Sequence, residues 1–180
     1  MNIKKIIISL ILLVVFSGCE PLTENDKKTN QSLSIDIEKQ FVVPTRQVHL
    51  DVSETLYVPV YSNISLGQKA TTIQLVANLS IRNTDPRNMI YILGIEYYDT
   101  TGKLVRAYLD SIHGLGPMAS ATVTVDVLDK AGGAGANFIV RWGAEELVND
   151  PIVETVMIGG IGTKGISFLS RARKIEAYEE

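Results

Sequence analysis

Residues that could act as a nucleophile, a general base or a metal ligand are few in this sequence. It contains one cysteine, Cys19, and two histidines, His49 and His113. Asp110 and Ser111 precede His113 closely enough to form a general base with it, as a hydrolase or a metal-dependent enzyme would need. No nucleophile motif surrounds either histidine, so we predict no catalytic residue, no metal site and no cofactor.

The first 18 residues have the features of an export signal. Lys4 and Lys5 give a positively charged start, and an uncharged apolar run of 11 residues follows at 6–16. A helix that spans a bilayer needs about 20 apolar residues, so this run is too short to remain as a membrane span. We therefore predict that residues 1–18 are a signal peptide.

The residues Phe16, Ser17, Gly18 and Cys19 resemble the lipobox of bacterial lipoproteins, although the usual Leu is Phe16 here. The resemblance implies cleavage between Gly18 and Cys19, a diacylglyceryl group on the Cys19 sulfur, and acylation of the freed amine by a fatty acid such as palmitate. Two or three chains form a stable anchor, because each buried methylene contributes about 0.8 kcal/mol. The alternatives are a plain secretory signal and a buried free cysteine.

Lipidation would place the protein on a membrane of the bacterial envelope, facing either the periplasm or the cell surface. Glu20, which stands where Asp would favour retention in the inner membrane, favours the outer membrane. The formal charge of −3 becomes −5 once Lys4 and Lys5 are removed with the signal, and basic residues are scattered. Phosphate binding needs clustered Lys and Arg, so nucleic acid is excluded as a partner. The expected partners are the membrane and an envelope protein or glycan.

Length and composition predict one folded domain behind a linker. With 180 residues, of which 46% are hydrophobic, the chain can form one sizeable core. Residues 19–45 are polar and lack periodicity, which predicts a disordered tether with a root-mean-square span of roughly 25–30 Å. We assign residues 46–180 to the domain and leave open whether residues 34–45 add a strand to it.

The domain has the period-two pattern of β-strands. In "TTIQLVANLSIRN", apolar residues occupy every second position from Ile73 to Ile81, and "NFIVRW" places Phe138, Val140 and Trp142 on one face. Trp142 suits the space between two sheets. Pro59 indicates an edge strand, since it has no N–H. About seven such strands predict an all-β fold, a single antiparallel immunoglobulin-like β-sandwich, with a small β-barrel as the alternative.

Three stretches resemble a family of exported bacterial proteins, domain of unknown function 3124. They are "LSIRNTDPRNMIYILGIEYYDTTGKLVRAYL", "GGAGANFIVRW" and "VMIGGIGTKGISFLSRAR", in this order, and the resemblance covers residues 55–173. It implies export and a single β-domain. It carries no catalytic or binding residue over to this sequence.

The residues Asp99-Thr100-Thr101-Gly102 predict a hairpin turn, because Asp opens turns through its side chain and Gly accepts positive φ. Polar and aromatic residues near this hairpin are the candidates for binding. "RNTDPRN" at 82–88 could be a recognition loop at one end of a sandwich, and it is also ordinary turn chemistry. Tyrosines nearby could stack on sugars or peptides, or could form cross-strand packing pairs. The candidate binding residues are Arg82, Asp85, Arg87, Tyr97, Tyr98 and Arg106.

These features favour a lipid-anchored, non-enzymatic protein that acts as a binding or assembly module in the envelope. Two alternatives stay open. One is an envelope hydrolase or metal-dependent enzyme that uses His113 and Asp110. The other is a purely structural envelope lipoprotein.

Overall fold

The computed structural model describes residues 37–67 and 71–179. The predicted signal peptide, Cys19 and the greater part of the predicted linker lie outside these residues. Within them the fold is all-β, as predicted, with eleven antiparallel strands in two sheets and one 3-10 turn at Ile37–Gln40. No helix in the described part of the chain has the length and apolarity needed to cross a bilayer.

The strands divide between two packed sheets. In chain order they are β1 (Val52–Val60), β2 (Asn63–Leu66), β3 (Thr71–Arg82), β4 (Ile90–Tyr98), β5 (Leu104–Leu109), β6 (His113–Leu115), β7 (Ser120–Val125), β8 (Ala136–Ala144), β9 (Ile152–Ile161), β10 (Lys164–Arg171) and β11 (Arg173–Glu179). Sheet 1 has the order β11-β1-β8-β4-β5, and β6 also pairs with β4. Sheet 2 has the order β10-β9-β3-β2, and β7 also pairs with β3.

The count exceeds the predicted seven because single runs in the sequence are interrupted. One run gives β1 and β2, separated by Tyr61 and Ser62. The last strand of sheet 2 bends at Ala172 and continues as β11 in sheet 1. The Ala172 N–H still donates to the Val153 carbonyl of β9 (2.9 Å), whereas β11 pairs with β1. The chain therefore crosses from sheet 2 to sheet 1 and connects the two sheets along one side of the sandwich.

The inner faces follow the predicted alternation. Every second residue of β3 from Ile73 to Ile81 is buried, as are Phe138, Val140 and Trp142 of β8. Each fully buried aliphatic or aromatic side chain stabilises the fold by about 1.5–3 kcal/mol. A chain with one cysteine has no internal disulfide, so this core holds the two sheets together.

The predicted hairpin turn between β4 and β5 is confirmed. Asp99 Oδ1 accepts hydrogen bonds from the backbone N–H groups of Thr101 (2.8 Å) and Lys103 (3.0 Å). Gly102 has φ of 82°, a conformation that a side chain disfavours. The turn residues are therefore those that its geometry requires.

The prediction that Pro59 marks an edge strand is wrong for β1 as a whole. β1 lies between β11 and β8, but its pairing with β11 covers only Val52–Tyr57. Pro59 lies beyond that pairing and opposite Asn137 of β8. Its carbonyl accepts a hydrogen bond from Thr155 Oγ1 of sheet 2 (2.7 Å). A proline is tolerated here because no strand on the β11 side needs its missing N–H.

Residues 37–42 connect the open edges of the two sheets. The Gln40 side-chain amide donates to the Thr122 carbonyl (3.0 Å) and accepts from the Thr122 N–H (2.8 Å), as a neighbouring strand would. Val42 and Gly114 exchange backbone hydrogen bonds of 2.8 and 2.7 Å. One short segment thus satisfies edge groups of β7 in sheet 2 and β6 in sheet 1.

Residues 37–45, the described part of 34–45, show what this stretch contributes to the domain. Phe41 is buried in the core and its ring packs edge-on against His113, with centroids 5.9 Å apart. Residues 37–42 join the domain as a turn and an isolated bridge, and not as an additional strand. The packed part of the chain therefore begins before residue 46, inside the predicted linker.

Candidate functional site

A cleft of about 450 Å³ opens between the sheets near Ala172, where the chain leaves its pairing with β9 and continues as β11. We call it the inter-sheet cleft. Its floor comes from the inner face of sheet 1, and its rim comes from the ends of β3, β9 and β10. Small-molecule sites typically have volumes of about 300–1,000 Å³. Its charged and aromatic lining residues are Glu54, Arg82, Trp142, Asp150, Glu154, Arg171 and Lys174.

Glu54 is a buried carboxylate on the cleft floor. It lies on the inner face of β1, in the row that Leu56 and Val58 continue, and is only 7% exposed. Its Oε2 accepts a hydrogen bond from Trp142 Nε1 (3.2 Å), and its Oε1 pairs with the Lys174 ammonium. Burial of a charge is strongly unfavourable unless it is paired and hydrogen-bonded. These two partners therefore stabilise the carboxylate in the core.

The cleft rim carries arginines that are only loosely engaged. Arg82, the last residue of β3, has its Nη2 3.9 Å from Glu154 Oε1, and its Nε donates to Ser80 Oγ (3.1 Å). Arg171 pairs in register with Glu154 across β10 and β9 and is exposed. The sequence prediction placed Arg82 among the candidate binding residues, and the structure places it at this rim. Arg171 is not among the residues predicted to bind.

Asp85 holds its own loop in place. It is 6% exposed, and its Oδ1 accepts hydrogen bonds from the backbone N–H groups of Arg87 (2.9 Å) and Asn88 (2.8 Å). These two bonds, and a longer one from the Asn149 N–H, keep the pKa of Asp85 below its usual value. The turn interpretation thus accounts for Asp85. Arg87 lies exposed on the same loop.

Asn83 is the second anchor of this loop. Its side-chain amide donates to the carbonyls of Asn88, Leu115 and Gly116 at 2.8–3.1 Å. Its Oδ1 accepts from the Asp85 N–H (2.9 Å). The loop that follows Arg82 is therefore rigidly bound to the domain, which fixes the end of β3 at the cleft.

Tyr97 is not accessible as a binding residue, and of the two interpretations given for the tyrosines it follows cross-strand packing, since it lies opposite Phe138 of β8. Its side chain is fully buried, and this burial raises the pKa of Tyr97 to about 12. A β-bulge between Ile92 and Gly94 shifts the alternation of β4, so Ile95 and Tyr97 face the core together. Without the bulge the same spacing would have turned Tyr97 outward.

Tyr98 and Arg106 remain outside the core but do not meet at one site. The Tyr98 hydroxyl donates to Glu96 Oε2 (2.9 Å). Arg106 donates to Asp129 Oδ2 (3.2 Å) and to the Tyr108 hydroxyl (3.0 Å). The predicted binding residues are thus distributed over the cleft rim, the loop after β3, the core and the β4–β5 hairpin.

His113 is engaged in local structure. It is 6% exposed, and its Nδ1 donates to the Ser111 carbonyl (2.8 Å), since a carbonyl oxygen can only accept. It borders a shallow depression of about 540 Å³ that Glu38 and Arg46 also line, whereas Asp110 is exposed and is not among the lining residues. In the described part of the chain no three His, Cys, Asp or Glu side chains are grouped as metal ligands.

One charged network was not predicted from the sequence. Arg46 forms a bidentate pair with Glu145 (2.5 and 2.6 Å), and the Tyr91 hydroxyl donates to the same carboxylate (2.9 Å). The hydrogen bond from Arg46, followed by that from Tyr91, lowers the pKa of Glu145 to about 2. The two charges are 99 residues apart in the chain, so no local pattern signals the pair.

The fold and cleft define a two-sheet, all-β domain with a polar opening between its sheets. The chain belongs to the family described as "Protein of unknown function (DUF3124)", whose family model matches residues 53–175. This match confirms the family resemblance seen in the sequence. A solved structure, "Crystal Structure of Thermotoga maritima 1070", is similar at 15% identity over 67% of this chain and 92% of that chain, with a TM-score of 0.39. None of the curated proteins matches the chain.

Proposed function

We propose that this protein is a lipid-anchored binding module of the bacterial envelope and that it binds its ligand in the inter-sheet cleft. The observation that carries the proposal is the buried carboxylate of Glu54 on the cleft floor. The anchor is Cys19, proposed from the lipobox pattern alone. The outer membrane is the proposed location.

The position of Glu54 is difficult to explain by packing. Leu56, Val58 and Val60 occupy the other inner-face positions of β1, and an apolar residue at 54 would extend that row. Replacing a buried ion pair by apolar residues is often neutral or even stabilising. The ion pair with Lys174 is therefore weak as a stabilising element, and a carboxylate facing an open cleft supports a binding role.

The contacts of His113, the candidate catalytic residue, favour binding over catalysis. The Nδ1 of His113 donates to the Ser111 carbonyl, and the ring packs against Phe41. Both contacts support a structural role for the histidine. The alternative of an envelope hydrolase that uses His113 and Asp110 predicts that His113→Gln abolishes turnover of a chromogenic ester or phosphate without unfolding the protein.

The anchor is tested by mass spectrometry of the N-terminal peptide and by membrane fractionation. The wild-type peptide should begin at Cys19 and carry diacylglyceryl, and Cys19→Ser should release the protein from the membrane fraction. A Cys19→Ser protein that is processed normally and stays membrane-bound contradicts the anchor.

The cleft is tested by photo-crosslinking in living cells. A photoreactive amino acid replaces Ile152, which is 49% exposed on the cleft rim, or Leu104, which is 46% exposed on β5. The two positions are matched in exposure, so nonspecific crosslinking should be similar at both. An adduct specific to position 152 supports the proposal. Equal adducts at both positions, or an adduct only at 104, contradict it.

A further inference from the structure

We infer that the inter-sheet cleft takes a small zwitterion, an ammonium joined by a short linker to a phosphate or carboxylate. The ammonium binds Glu54 in place of Lys174, and the anionic end binds Arg82 and Arg171. The inference rests on the proposed function in one respect, that the cleft is where a ligand binds.

Lys174 marks where the ligand ammonium would bind. Its ammonium pairs with Glu54 Oε1 at the end of a flexible side chain that is 47% exposed. A primary ammonium of a ligand presents the same three N–H donors. Because half of the Lys174 side chain already contacts solvent, it can turn outward and keep its own charge hydrated. The carboxylate then exchanges one ammonium for another without remaining unpaired.

The other carboxylate oxygen is held in position. Glu54 Oε2 accepts the Trp142 indole N–H (3.2 Å), which fixes the carboxylate plane and leaves Oε1 directed at the ammonium position. Leu56 and the Trp142 ring line the cleft beside it. These apolar surfaces suit the methylene groups of a short linker.

The anionic end of the ligand meets the arginine rim. Arg82 and Arg171 both line the cleft beside Glu154, and the separation of Arg82 from Glu154 (3.9 Å) is longer than a hydrogen bond. A guanidinium group binds phosphate or carboxylate through two parallel N–H donors. These side chains can therefore turn to an anion at the rim.

The charge balance of the lining favours a zwitterion over a simple cation or anion. Three basic and three acidic side chains line the cleft, so its formal charge is zero. Glu54 lies at the floor beside Lys174, and the rim carries Arg82 and Arg171 together with Glu154 and Asp150. A zwitterion leaves this balance unchanged, whereas a simple cation or anion adds an uncompensated charge.

The chemistry has two possible sources in an envelope. One is the ethanolamine phosphate headgroup of a lipid in the membrane that carries the protein. The other is a free small molecule, such as ethanolamine phosphate or an amino acid. Both present an ammonium and an anion separated by a few atoms.

Thermal unfolding of the full chain with free ethanolamine phosphate tests the inference. Choline phosphate is the matched control, since it has the same charges but no ammonium N–H. In Lys174→Met, where the competing lysine is absent, ten times the dissociation constant of ethanolamine phosphate should raise Tm by roughly 3–6 °C. Wild type should need a higher concentration, and Glu54→Gln should not respond. Ethylammonium, which has no anionic end for the rim arginines, should stabilise Lys174→Met less than ethanolamine phosphate does at the same concentration, and an equal effect would contradict the role of the arginines.

Equal responses to ethanolamine phosphate and choline phosphate, or none in wild type and Lys174→Met, overturn the inference. If Lys174→Met does not fold, the comparison of wild type with Glu54→Gln carries the same test. No Tm response together with a specific crosslink at position 152 overturns the zwitterion while the proposed function stands. A failed crosslink and an unlipidated Cys19 overturn the proposed function itself.

Vesicle flotation distinguishes the two sources of the group. The full chain with Cys19→Ser is mixed with vesicles of ethanolamine-headgroup or choline-headgroup lipid that have the same acyl chains. Selective flotation with the ethanolamine headgroup that is lost in Glu54→Gln supports the lipid source. Absence of flotation together with the Tm response supports the free molecule.

Discussion

The indole Nε1 of Trp142 donates a hydrogen bond to Oε2 of Glu54 across the inner face of sheet 1, at 3.2 Å. The two residues lie directly opposite each other on β8 and β1. A buried indole N–H needs an acceptor, and a buried carboxylate needs donors. Because Trp142 is the only tryptophan in the chain, its indole reports on this cleft alone.

Removing Lys174 while Glu54 remains should destabilise the protein. Lys174→Met keeps an unbranched apolar stem but leaves the buried carboxylate without its ammonium, which should lower the free energy of unfolding by about 1–3 kcal/mol. In Lys174→Met/Glu54→Gln both charges are absent, so most of the loss should be recovered. Urea denaturation of wild type, Lys174→Met, Glu54→Gln and the double variant measures the coupling between the two charges. Losses that simply add would show that the two charges do not interact.

Asn83 should be critical for the loop that ends β3. Asn83→Ala removes hydrogen bonds to four buried or partly buried backbone groups, each worth about 0.5–1.5 kcal/mol, so we expect a loss of about 2–4 kcal/mol in the free energy of unfolding. Asn88→Ala is the matched control, because Asn88 contributes its backbone to the loop. Similar losses for the two variants in denaturant unfolding would contradict the role of the Asn83 side chain.

The Arg46–Glu145 pair should make stability depend on acid. The pKa of Glu145 falls from 4.5 to about 2 in the folded state, so its contribution is complete above about pH 4.5 and is lost as the pH falls towards 2. The stability difference between wild type and Glu145→Gln should therefore narrow as the pH is lowered through this window. Glu146→Gln, at an exposed neighbour, should show no such narrowing. A gap that stays constant from pH 6 to pH 3 would refute the pairing.

The Tyr97 hydroxyl should be dispensable. Among the described residues it is the one buried side-chain polar atom without a hydrogen bond. Tyr97→Phe should raise the free energy of unfolding by about 1 kcal/mol, whereas Tyr91→Phe, which loses a bond to Glu145, should lower it by about 1–2 kcal/mol. Chemical denaturation compares both. A marked loss in Tyr97→Phe would show that its hydroxyl has a partner.

The features that the sequence predicts correctly depend on local patterns. The buried row 73–81, the turn from Asp99 to Gly102 and the burial of Trp142 all follow from alternation or turn chemistry within a few residues. The alternation also places Glu54 on the inner face with Leu56. An acidic residue in an apolar row is therefore the local sequence signal of the cleft.

The features that the sequence does not predict depend on distant contacts or on backbone irregularities. Glu54 meets its partner Lys174 only because the chain crosses between sheets at Ala172, which no local pattern marks. The orientation of Tyr97 depends on a bulge after Ile92. A single extra residue in a strand reverses every side chain beyond it, so alternation alone could not show which face Tyr97 occupies.

The central claim is that Glu54 in the inter-sheet cleft receives the ammonium group of a ligand. The most direct measurement follows the Trp142 indole N–H resonance of the full chain while ethanolamine phosphate is added. The resonance should shift progressively to saturation in wild type, shift at lower concentration in Lys174→Met, and stay in place in Glu54→Gln. A wild-type resonance that does not move, or one that moves equally in Glu54→Gln, would contradict the claim.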